Sequence, residues 1–288
     1  MRKFFLTLAL AIGVSFSAFA QKDVVLVDYF KYASGVDAAH VANLRAKVIA
    51  GIAETNRLQI VDIATQSNMA TEEERRKAES AMNDETARNS IMQTLGAKYI
   101  ITGDVSTMSC TKETDKEGNV SYKGNLTWTI KVVEASNGVM KYTKTYTYQG
   151  GGLLSTTGSG RTYEEAMLAT CNLAHGAMAL VVNEAFPIEG LLIKIETTKK
   201  NKAETVYIDL GSAHGIEKGQ GFEVYMEVDI AGELSRKKIG DLMAKEVLSA
   251  SRTLCNVKKG GDLIVEAEAK GQKLIVVSRA AKFFEGLF

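Results

Sequence analysis

Cysteine is scarce: Cys110, Cys171 and Cys255 are the only thiols in a chain of 288 residues. Three cannot all pair within one chain, and their wide spacing matches neither a CxxC motif nor a disulfide framework. They read as small buried hydrophobes, with pairing between any two left open by the spacing. Cys171 and His175 stand four apart, on one face of an expected helix, but two ligands without a second His/Cys pair do not make a zinc site. Histidine is as rare, and His40, His175 and His214 lie in no recognisable catalytic context. A G-x-S-x-G elbow is absent, as are GxxxxGK[ST] and GxGxxG, so neither a triad hydrolase nor a nucleotide site is expected. No catalytic residue, cofactor or metal is assigned. Neither sign of charge dominates: 35 Lys and Arg face 34 Asp and Glu, for a net charge of +1. Such a balance provides no basic field for nucleic acid or anionic lipid.

The chain opens MRKFFLTLALAIGVSFSAFAQ. Arg2 and Lys3 precede an uncharged run over 4–14, and Ala18-Phe19-Ala20 is a small-x-small cleavage site, the pattern of a secretory signal peptide. Its apolar core is shorter than the roughly 20 residues of a spanning helix. Cleavage is expected before Gln21, where a lipoprotein would carry Cys. Loss of 1–20 takes two basic residues and leaves a mature charge of about -1. The mature chain is expected to be periplasmic and to lack a membrane span.

The remaining length suits two domains. Val24-Val25-Leu26-Val27 reads as a strand covered on both faces. Val41, Leu44, Val48, Ile49 and Ile52 then recur at helical spacing behind a possible cap at Asp37, with Asn56 near the end. A second strand is expected over 58–63, a solvated helix over 67–95 stopped by Gly96, and a third strand over 98–105. Asp104, after Gly103 at the end of that strand, is read as a turn or cap residue rather than a general base. Residues 110–125, CTKETDKEGNVSYKGN, read as a polar loop. Leu126, Trp128, Ile130 and Val132 mark the buried face of the next strand. Asn137-Gly138 signals a hairpin, whose returning arm carries Tyr142, Lys144, Tyr146 and Tyr148 on one face.

QGGGLLSTTGSGR, residues 149–161, is a glycine-rich connection rather than a phosphate site, and leads into a helix over 163–185 boxed by Thr162 and Glu165. The single proline, Pro187, marks a domain boundary. Beyond it LLIKIET, TVYIDLG, GFEVYMEV, KIGDLMAKEVL, TLCNVKK and DLIVEAE read as short strands of a small antiparallel barrel. The expected class is α+β: a mixed sheet packed by helices over 21–186, a small antiparallel barrel over 190–279, and a tail over 280–288.

VVLVDYF, LGAKYIITGDVS and IKVVEASNGVMKYTKTYTY together resemble the CsgG family of extracytoplasmic proteins over 23–186, a fold similar to that of LpoB. TVYIDLGSAHGIEKGQGFEVY, residues 205–225, resembles the C-terminal barrel of FlgT, with glycines that are structural on either reading. The CsgG resemblance implies an outer-membrane pore for curli-type transport, built by hairpins after the third and fifth strands. At those positions this chain has the charged 110–125 and the short 149–161, which do not suit spanning strands. The resulting expectation is an exported, non-enzymatic accessory or adaptor that docks to other envelope proteins and can form homo-oligomers. A CsgG-like secretion-pore subunit is the alternative, and an enzyme of unknown class the less favoured one. Candidate contact residues are Tyr142, Tyr146, Tyr148, Glu117, Leu153 and Leu154. Tyrosine suits an interface because it buries area and keeps a hydroxyl. Packing of the three tyrosines under a helix is the equal alternative.

Overall fold

The computed structural model describes residues 22–62, 96–149 and 157–279. The signal peptide, the 67–95 helix, Leu153, Leu154 and the tail lie outside the described residues. The described chain is α+β, a mixed sheet packed by helices followed by a closed antiparallel barrel.

The sheet begins with β1 (Val24–Val27), β2 (Lys31–Tyr32), α1 (Ala38–Glu54) and β3 (Gln59–Asp62). It continues with β4 (Tyr99–Thr114), β5 (Val120–Glu134), β6 (Met140–Tyr148) and β7 (Ser159–Gly160), and α2 (Tyr163–Ala185) closes the unit. Strand order is β3-β1-β4-β5-β6, with β2 on β4 and β7 on β5. The β1 pairings with β3 and β4 are parallel, whereas β4–β5 and β5–β6 are antiparallel.

Local chemistry explains the helices. Asp37 caps α1 by accepting from the Ala39 amide at 2.7 Å. Asn56, at a φ of 51°, turns the chain out of it. Thr162 caps α2 by accepting from the Glu165 amide at 3.1 Å. Val41, Leu44, Val48 and Ile52 of α1, with Met167, Cys171, Met178 and Val182 of α2, pack on the sheet face carrying Leu126, Trp128, Ile130 and Val132. Those four β5 residues are fully buried, each side chain stabilising by about 1.5–3 kcal/mol. By length and composition α2 is apolar enough to cross a membrane. Its apolar stripe is buried in this core.

The third strand corrects the sequence reading twice. It runs on to Thr114 instead of stopping near Val105, so 110–125 is no loop but the end of a β-ribbon, paired from Cys110↔Gly124 to Thr114↔Val120. Asp104 lies within the strand, where its carboxylate accepts from Lys131 on β5. Gly103 marks close packing rather than a strand end, since a Cβ there would collide with the Phe30 ring.

The barrel comprises β8 (Glu189–Lys199), β9 (Lys202–Ile208), β10 (Gly221–Ile230), β11 (Glu233–Ser249), β12 (Arg252–Lys259) and β13 (Leu274–Arg279). These close in the order β10-β11-β12-β9-β8-β13, and its core includes Val206, Phe222, Leu242, Cys255 and Val276. DLIVEAE is not a strand but lies in the helix α3 (Gly261–Ala269), which buries Ile264 and Ala267 one turn apart. The strand that closes the barrel is β13.

Candidate docking surfaces

The β4–β5 ribbon is the most exposed ordered feature among the candidate contact regions. Past Met108 and Leu126 it continues as 109–114 against 120–125, with polar or charged side chains at most positions of both arms. Next to the sheet Gly124 and Cys110 still pack against α2, but from Thr111 to Val120 neither face is buried and each strand of the ribbon needs only its backbone partner. Its turn is organised by Asp115. One carboxylate oxygen accepts from the Glu117 amide at 2.9 Å and the Asn119 amide at 2.8 Å, and the other accepts from the Asn119 side chain at 2.8 Å. The Asn119 hydrogen bonds hold the Asp115 carboxyl below its ordinary range. Gly118 supplies the positive φ of 85° that the turn needs. Glu117 therefore sits on a defined tip, beside Val120, whose exposure is 40 %.

The three tyrosines share a face, as read from sequence, but that face looks onto α2. The Tyr142 hydroxyl donates to Glu184 at 2.6 Å and the Tyr148 hydroxyl to the Leu173 carbonyl at 3.4 Å. Tyr146 stacks on Trp128 at 5.6 Å between ring centroids. Burial pushes the Tyr146 and Tyr148 hydroxyls up to about 12, and burial together with Glu184 raises Tyr142 further. The structure thus brings the tyrosines together and sets Glu117 apart at the ribbon tip.

The remaining candidates for chemistry have structural partners. His175 Nε2 lies 3.0 Å from Glu54 Oε1. His40 packs against Tyr163, and His214 Nδ1 accepts from the Gly211 amide at 3.2 Å. All three cysteines are free. Burial raises the Cys171 and Cys255 thiols to about 11 and about 12. No group of three potential metal ligands occurs among the described residues. In the glycine-rich connection, a Cβ on Gly158 would collide with the Thr170 backbone, so this glycine permits close helix packing.

Sequence reasoning missed Arg57, which joins the two halves of the chain. Its guanidinium donates to the Asn183 side chain and the Phe186 carbonyl, and a Cβ on Gly215 would press on its stem. Burial holds it below its usual range, at about 10. A cleft of about 220 Å³ beside it has Glu54 and His175 on one wall and Glu217 and Gln220 on the other. A lone Arg after a helix stop gave no signal of this role, because its partners are more than a hundred residues away.

A family model described as peptidoglycan-synthase activator LpoB matches residues 38–139, about a third of the chain. The match lies inside residues 23–186 and is to LpoB, not to the CsgG family that the sequence reading named first. No curated protein matched the chain. Among solved structures, a PelC dodecamer from Paraburkholderia phytofirmans is 14% identical, over 57% of this chain and 86% of that one, with a TM-score of 0.32. Lipoprotein GNA1162 from Neisseria meningitidis is 13% identical, over 56% of this chain and 96% of that one, at 0.35. The LpoB C-terminal domain from Escherichia coli is 14% identical, over 44% of this chain and 83% of that one, at 0.32. At these scores the structural likenesses carry no conclusion about this chain.

Proposed function

We propose that this chain is an exported, non-enzymatic accessory protein of the cell envelope that docks to a partner protein through the tip of the β4–β5 ribbon. The description of the matched family suggests the partner class, a peptidoglycan synthase, and the action, activation. Export rests on the signal-like residues 2–20. The observation that carries the reading is the ribbon: an ordered, polar arm with a turn fixed by Asp115 and Asn119, presenting Glu117 and Val120. Preorganisation of that kind lowers the ordering cost of binding. The tyrosine face acts from beneath, with Tyr142, Tyr146 and Tyr148 fixing β6 under α2. Leu153 and Leu154 remain candidate contacts on sequence alone.

The ribbon's composition disfavours the secretion-pore reading. A spanning strand needs roughly 9 to 11 residues with an apolar outer face, and the extension from 109 to 114 is shorter and polar. The test is a glycan-polymerisation assay with purified peptidoglycan synthases from the same cell. Addition of the chain should raise the rate, and Asp115→Ala with Asn119→Ala should abolish the gain while leaving the circular dichroism unchanged. No rise with any synthase would reject the activator role.

A further inference from the structure

The barrel carries a groove of about 1000 Å³ on its outer wall, remote in sequence from the ribbon and independent of the docking role proposed for it. Four strands build it. The β8–β9 turn contributes Lys199, Lys200 and Lys202, β11 contributes Lys245, and the end of β12 contributes Lys258 and Lys259. Lys200 and Asn201 take φ values of 49° and 59°, the tight hairpin geometry that sets Lys199 opposite Lys202. Three carboxylates, Glu196, Glu204 and Asp262, share the lining, so its formal charge is positive. Only Lys199 pairs with one of them, with Glu204 at 3.7 Å. Among the described residues the other five lysines have no carboxylate in salt-bridge range. Holding uncompensated like charges together costs electrostatic energy, which an anionic occupant would relieve.

We propose that this groove binds an extended acidic peptide segment of a partner protein. Its concavity disfavours a bilayer surface, which is flat on this scale. The lining has no arginine fork for bidentate phosphate contacts, and Tyr207 is its only aromatic ring and is half-buried, so there is no stacking platform for bases. A hydroxyl-rich glycan is disfavoured because the Thr197 and Thr205 hydroxyls already bond each other at 2.7 Å. What remains is a set of flexible point charges, which accept carboxylates presented at irregular spacing along a peptide.

The experiment titrates the full chain with a fluorescein-labelled oligoglutamate, measures anisotropy at two salt concentrations, and runs oligogalacturonate, single-stranded DNA and anionic vesicles in parallel. Oligoglutamate should bind, and binding should weaken with salt. Lys258→Ser with Lys259→Ser should weaken it about tenfold, the loss expected from removing two exposed charge contacts. The same charge change outside the groove, Lys237→Ser with Lys273→Ser, should leave binding unchanged. Lys258→Glu with Lys259→Glu should bind oligolysine instead, an outcome that a merely unfolded variant would not give. Equal losses from both lysine pairs, or no oligoglutamate binding, would overturn the proposal. So would groove-dependent binding of the glycan, the DNA or the vesicles in preference to the peptide.

Discussion

Gly124 on β5 passes so close beneath Thr170 of α2 that a Cβ at Gly124 would collide with the Thr170 hydroxyl. That crossing fixes where the helix lies on the sheet, and so where the ribbon leaves it. Thr170 is fully buried and its hydroxyl donates to the Ala166 carbonyl at 2.7 Å, so it has no room to move. Gly124→Ala should therefore destabilise the protein by about 1–3 kcal/mol, the usual cost of overpacking a core. Adding Thr170→Ala should recover part of that loss. Urea unfolding followed by circular dichroism measures both, and an unchanged midpoint for Gly124→Ala would contradict the packing described.

Alkaline pH should weaken both cores. Burial holds the Cys171 and Cys255 thiols at about 11 and about 12, against about 8.5 in an unfolded chain. Above about pH 8.5 the unfolded chain releases protons that the folded protein keeps, so unfolding free energy is fully present below that pH and falls above it. The tyrosines add the same sign from about pH 10 upward. The urea midpoint should drop between pH 7.5 and pH 9.5, and less so when Cys171 and Cys255 are both replaced by Ala. A midpoint independent of pH over this interval would contradict the burial of the thiols.

Much of the fold was legible in the sequence because burial imposes a period. The β5 alternation of Leu126, Trp128, Ile130 and Val132, and the α1 spacing of Val41, Leu44, Val48 and Ile52, each have one buried face. The ribbon tip was illegible for the converse reason: from Thr111 to Val120 no face is buried, so charged residues read as loop although the strands stay paired as far as Thr114↔Val120. DLIVEAE failed differently. A short apolar run carries no decisive period, and only Ile264 and Ala267 stacking one turn apart reveals the helix. The lysine groove was beyond reach because its members come from four strands whose convergence only barrel closure creates.

The hydrophobic clusters are separate in sequence, two built from residues up to Phe186 and one from Ile188 onward. Fragments 21–186 and 187–288, the second keeping Ile188 and the whole of β8, should therefore each unfold cooperatively when made alone. Arg57 spans the junction, so the first fragment, which keeps Asn183 and Phe186, should retain its hydrogen bonds. Two fragments lacking regular circular dichroism spectra would show that the chain folds only as a whole.

The most direct test of the docking account is photo-crosslinking in intact cells, with the reactive group placed in turn at Glu117, Val120 and Lys237. Glu117 and Val120 lie at the ribbon tip, whereas Lys237 is exposed on β11 of the barrel and does not line the lysine groove. The account predicts that the two tip positions capture the same envelope protein, a peptidoglycan synthase, and that Lys237 does not. Capture of lipid at the tip, equal capture at Lys237, or no protein adduct at either tip position would contradict it.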